Sequence, residues 1–90
     1  MKIGVISPIP GPIGVDDSGD IARLSAKARP GTELSFVYTQ GGKPWIEGAY
    51  DDALAVPGVL KAAIEFERSG MQAIVINCTA DTGLNAVREC

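Results

Sequence analysis

Two short aliphatic runs stand near the ends of the chain, "KIGVI" at Lys2–Ile6 and "AIVIN" at Ala73–Asn77. Neither alternates apolar with polar residues. A strand that is apolar throughout must be covered on both faces, and a parallel sheet with helices above and below provides that cover. A third run, "ELSFVYT" at Glu33–Thr39, places Leu34 and Phe36 among less apolar neighbours and reads as another strand. The segments between the runs have helical spacing. Asp16–Ala28 aligns Ile21, Leu24 and Ala28, with Asp17 or Ser18 as its cap. Tyr50–Arg68 aligns Val59, Leu60, Ala63, Ile64 and Glu67, with Pro57 at or near the start of its main part. Asp81–Cys90 begins a third helix.

The order is therefore β-α-β-α-β-α. Right-handed crossovers place the first strand between the second and third. The expected fold class is α/β, a three-layer, doubly wound parallel sheet with strand order 2-1-3, a flavodoxin-like half-domain. The prolines of "SPIPGPIG", the "RPG" at Arg29–Gly31 and Ser69-Gly70 interrupt or stop regular structure. Two features look unfinished. The third helix ends after about two turns, and the most hydrophobic strand lies at an edge, where bare apolar backbone invites aggregation. Either a fourth strand is missing from residues 1–90, which form a single α/β half, or a second copy covers that edge.

With 90 residues the chain has room for one domain, and 46% hydrophobic with 21% charged residues is a globular rather than a disordered composition. The net charge of −3 comes with scattered Lys and Arg residues, so no basic stripe suits nucleic acid. No run reaches the roughly 18 apolar residues of a membrane span, and no cleavage pattern follows the amino-terminal strand. The cytoplasm is the expected compartment, where the two cysteines stay reduced.

Chemistry concentrates in "AIVINCTADTGL", Ala73–Leu84, where the third strand gives way to a polar stretch. Ligands of an open parallel sheet bind beyond the carboxyl ends of its strands, and Ser7, Thr39 and Cys78 each lie at such an end. A cysteine directly before a helix faces unpaired N–H groups, which favour the thiolate and stabilise a bound anion or enolate oxygen. Inert packing is the competing reading, since free cysteine is among the most buried residue types. The chain has no histidine, which excludes a Cys-His hydrolase within it. A cysteine without such a base is itself the base, a redox thiol or a structural residue. Cys90 lies about 15 Å along a helix from Cys78, beyond the roughly 7 Å that a disulfide spans between Cα atoms. No Cys-x-x-Cys occurs, so the zinc and thioredoxin readings are weak. Trp45 either lines a pocket or covers the core, Glu47 and Asp51 read as solvated or capping groups, and "DDSGD" reads as a helix cap.

Several ordered motifs resemble the aspartate/glutamate/hydantoin racemase family, in its hydantoin racemase-like branch. They are "MKIGVISP", "RPGTEL", "KPWIEGAYDDALAVPGVLKAAIEFERSG" and "QAIVINCTADTGLNAVRE". The resemblance implies two similar α/β halves with the active site between them, of which this chain covers about the first. It also implies cofactor-independent racemisation of a hydantoin or an acidic amino acid. One thiolate removes the proton beside a carbonyl and a second thiol returns one to the opposite face. Cys78 matches the first cysteine, and Ser7, Asn77 and Thr79 become candidate substrate contacts, with the Thr79 N–H on the enolate oxygen. Ser7 stands where the family often has asparagine. The second cysteine belongs to the other half, so the chain alone is expected to be inactive and to act as a homo-oligomer or with a carboxyl-terminal half. Two other functions compete. One is a maleate isomerase-like reaction with the same cysteine as nucleophile. The other is a non-catalytic module that associates through its open sheet edge.

Overall fold

A computed structural model describes residues 1–10, 18–39, 41, 45–78 and 80–90. The elements in chain order are β1 (Lys2–Ser7), α1 (Ser18–Lys27), β2 (Glu33–Tyr38), α2 (Ala49–Arg68), β3 (Ala73–Ile76) and α3 (Leu84–Glu89). The sheet has the order β2-β1-β3 and is parallel throughout. Lys2 faces Glu33 and Ser7 faces Tyr38 on one side of β1; Ile3 faces Ala73 and Ile6 faces Ile76 on the other. The doubly wound α/β arrangement is thus the one its aliphatic runs require. The caps expected at Asp17 or Ser18, and Thr79, lie outside the residues whose side chains are described.

Strand alternation divides the sheet into two faces. Gly4, Ile6, Val37, Ile74 and Ile76 face α2 and α3, where Ile6, Val59, Ala62 and Ala63 form the buried centre. The α2 stripe runs through Ala55, Val59, Ala62 and Ala63. Leu60 and Ile64 are only half-buried, and the exposed Glu67 lies outside the stripe. The stripe is rotated from the expected one because small alanines let the helix approach β1 closely. Gly4 serves the same approach: a Cβ there would stand 2.6 Å from Phe66 Cε2. The opposite face, with Ile3, Val5, Leu34 and Val75, meets α1 across an open groove of about 530 Å³. Leu24 of α1 is 38% exposed and Val75 is 47% exposed, so this side of the sheet is thinly covered.

Pro57 lies inside the continuous twenty-residue α2, not at its start. It sits on the exposed side, where the carbonyl of the exposed Ala53, freed by the missing N–H, is near water. The helix ends as a Schellman motif: Met71 N–H donates to Phe66 O at 3.0 Å and Gly70 N–H to Glu67 O at 3.1 Å, with Gly70 at φ +92°. The last helix is shorter than expected. It begins at Leu84 rather than Asp81, because Asp81 (φ +52°) and Gly83 (φ +74°) are left-handed and cannot belong to a right-handed helix.

Candidate functional site

The carboxyl edge of the sheet gathers the strand ends picked out from the sequence. The ladder runs one step past each strand. Thr39 N–H donates to Ser7 O at 3.1 Å, and Asn77 N–H donates to Ile6 O at 2.8 Å. Ser7 is half-buried, Asn77 exposed and Cys78 half-buried. Thr39 is 4% exposed, and its hydroxyl has no hydrogen-bond partner among the described residues. Neighbouring parallel strands are about 4.8 Å apart, so Thr39 and Cys78 flank Ser7 across roughly 10 Å of edge.

Beyond β3 the chain folds back in tight turns. Cys78 N–H donates to Ile76 O at 3.0 Å, Asp81 N–H to Cys78 O at 3.1 Å and Leu84 N–H to Asp81 O at 3.0 Å. The described residues after Cys78 therefore form turns rather than the helix expected directly after it. The helix starts six positions later and has only six residues, and the Cys78, Asp81 and Leu84 amides are engaged by turn carbonyls.

The sulfur instead meets a side chain that the sequence reading passed over. Thr82 is fully buried, and its Oγ1 lies 3.6 Å from Cys78 Sγ. The same hydroxyl donates to Asp52 Oδ1 at 2.6 Å. Asp52 sits in the first turn of α2, thirty positions away in sequence. Parallel β2 ends at the carboxyl edge, so α2 starts there, which brings Asp52 to that edge. The turn at Thr82–Gly83 packs on α2, and a Cβ at Gly83 would stand 3.3 Å from Val59 Cγ1. No local sequence signal joins Asp52 to Thr82; only the parallel arrangement does. Its neighbour Asp51 is buried and accepts the Glu47 N–H at 3.2 Å, a capping role, while Glu47 itself is exposed.

Cys90 is remote from this edge. It lines a groove with Gln72 and Ala73, at the opposite end of β3, about 15 Å away at the rise of a parallel strand. Its thiol donates to Val87 O at 3.3 Å, and both cysteines are free. Trp45 is 56% exposed, so it does not cover the core. Among the described residues no group of three or more His, Cys, Asp or Glu side chains is placed to hold a metal ion. No helix among them is long and apolar enough to cross a membrane.

The family model for Asp/Glu/hydantoin racemases matches residues 20–90. A hydantoin racemase from Pseudomonas sp. (strain NS671) is 38% identical over 89 residues, covering 99% of this chain and 35% of that protein. A hydantoin racemase from Rhizobium meliloti is 48% identical over 44 residues, 49% of this chain and 18% of that protein. The structure of an allantoin racemase from Klebsiella pneumoniae superposes with a TM-score of 0.86 at 37% identity, over 98% of this chain and 35% of that one. The chain thus spans about a third of the length of these relatives. A family match over most of its residues and a shared three-stranded parallel core place this chain in the Asp/Glu/hydantoin racemase family.

Proposed function

We propose that the protein is a cofactor-independent racemase of a hydantoin or an acidic amino acid, and that this chain supplies one of its two thiols, Cys78. The observation that carries the reading is the position of Cys78. Its sulfur is half-buried just past the most apolar strand, on the carboxyl edge where ligands of such sheets bind. Family membership supports the same assignment, as do relatives described as hydantoin and allantoin racemases.

In the proposed reaction one sulfur, as thiolate, takes the proton from the carbon beside a carbonyl. The electron pair moves onto the carbonyl oxygen as an enolate. The other sulfur, as thiol, gives its proton to the opposite face of that carbon, and the pair returns from oxygen to carbon. The two sulfurs exchange protonation states and nothing else is consumed. Ser7, Asn77 and Thr79 are the proposed substrate contacts around Cys78. Cys90, at the other end of β3, cannot face Cys78 across one carbon, so the second thiol must come from outside these residues, from a carboxyl-terminal half or a second copy.

The test follows solvent deuterium uptake at the substrate carbon, together with loss of optical rotation, using resolved hydantoins and acidic amino acids. A chain of the relatives' full length should show both, its Cys78→Ser variant should lose racemisation, and the 90-residue chain should show little of either. Full turnover by the Cys78→Ser variant would end the assignment, and full turnover by the 90-residue monomer would end the requirement for an outside thiol.

A further inference from the structure

The contact between Asp52, Thr82 and Cys78 is not among the substrate contacts proposed above. A hydroxyl carries one hydrogen, and Thr82 has two acceptors in reach: Asp52 Oδ1 at 2.6 Å and Cys78 Sγ at 3.6 Å. The shorter bond, to a carboxylate, takes the hydrogen. Thr82 Oγ1 then turns a lone pair toward the sulfur, which suits an S–H donor and opposes a thiolate. Thr82 is fully buried, so water does not replace the missing donor at this point. The Asp52 carboxylate lies within about 6 Å of the sulfur and adds a like charge against the thiolate.

Resting on the role of Cys78 proposed above, we infer that Asp52 and Thr82 form a positioning pair that holds Cys78 as an oriented thiol, the proton donor, when no substrate is bound. When Cys78 gives its proton to the substrate carbon, the Thr82 hydroxyl rotates from Asp52 to the new thiolate and hydrogen-bonds to it. Thr82 keeps its own proton throughout, and Asp52 touches neither substrate nor sulfur.

The test is the initial alkylation rate of Cys78 by iodoacetamide at pH 7 in the 90-residue chain, read by peptide mass spectrometry that separates Cys78 from Cys90. Asp52→Ala should raise the rate by more than the about threefold that removing a charge at 6 Å gives in water, because the hydroxyl is freed to donate to the thiolate. In a Thr82→Ser background, which keeps the hydroxyl, the gain should be the same. In a Thr82→Val background it should fall to about threefold, the through-space part alone. Should Thr82→Val fail to fold by circular dichroism, Thr82→Ala removes the same hydroxyl without filling its place. No gain from Asp52→Ala, or equal gains with and without the hydroxyl, overturns the pair. Alkylation needs no turnover, so the two readings fail separately. A missing gain alongside a racemase that Cys78→Ser inactivates sinks only the positioning pair. A clear gain in a protein whose racemisation survives Cys78→Ser sinks only the catalytic assignment.

Discussion

Gly4 offers the sharpest test of how the sheet and α2 fit together. A Cβ at this position would lie 2.6 Å from Phe66 Cε2 and 2.8 Å from Phe66 Cγ, and nearer still to Cδ2. Carbon atoms in contact rest about 3.5–4 Å apart, so the ring or the helix must move by about 1 Å. The helix resists, because Val59, Ala62 and Ala63 seat it on Ile6 of the same strand. Overpacking of this kind costs about 1–3 kcal/mol, a large part of the roughly 5–13 kcal/mol expected for a 90-residue domain. Gly4→Ala should therefore destabilise by about that amount. The intrinsic preference runs the other way, since alanine inside a strand is favoured over glycine by about 0.5–1 kcal/mol. In a Phe66→Ala background, with the ring gone, Gly4→Ala should become neutral or stabilising, for a coupling of about 1–4 kcal/mol between the two sites. Urea unfolding followed by far-ultraviolet circular dichroism is the suitable assay. Trp45, at 56% exposure, is too open to report on the core by fluorescence. Equal effects of Gly4→Ala in both backgrounds would refute the claim that helix approach, rather than strand propensity, requires glycine here.

Val59→Ala removes a fully buried side chain from the centre of the core, and urea unfolding should show a loss of about 1.5–3 kcal/mol. Gly83→Ala places a side chain at φ +74°, 3.3 Å from Val59 Cγ1, and should cost about 1–2 kcal/mol; a smaller cost in a Val59→Ala background would separate the crowding from the backbone strain. Thr39→Val replaces a buried hydroxyl with no partner among the described residues, so it should raise stability by about 1 kcal/mol, and a loss of stability would show that the hydroxyl is paired in solution. A bulky maleimide should label the exposed Cys90 well before the half-buried Cys78, and mass spectrometry of partly labelled protein would reveal the reverse order.

Much of this architecture is local in origin, and so could be read directly from the amino-acid order. Apolar runs at Lys2–Ile6 and Ala73–Asn77 demand two-sided cover, Ser69-Gly70 stops α2, and the crossover rule then leaves the order 2-1-3. The placement of Cys78 at a strand end follows from the same pattern. What the residues around it do could not be read that way. The sequence points to a helix from Asp81, yet left-handed Asp81 and Gly83 delay it to Leu84, six positions past the cysteine. The hydroxyl beside the sulfur comes with a carboxylate thirty residues distant. Periodicity reports only neighbours along the chain, whereas the Asp52–Thr82–Cys78 contact exists because parallel β2 and β3 end at one edge, where α2 starts and the turn after β3 folds back onto it.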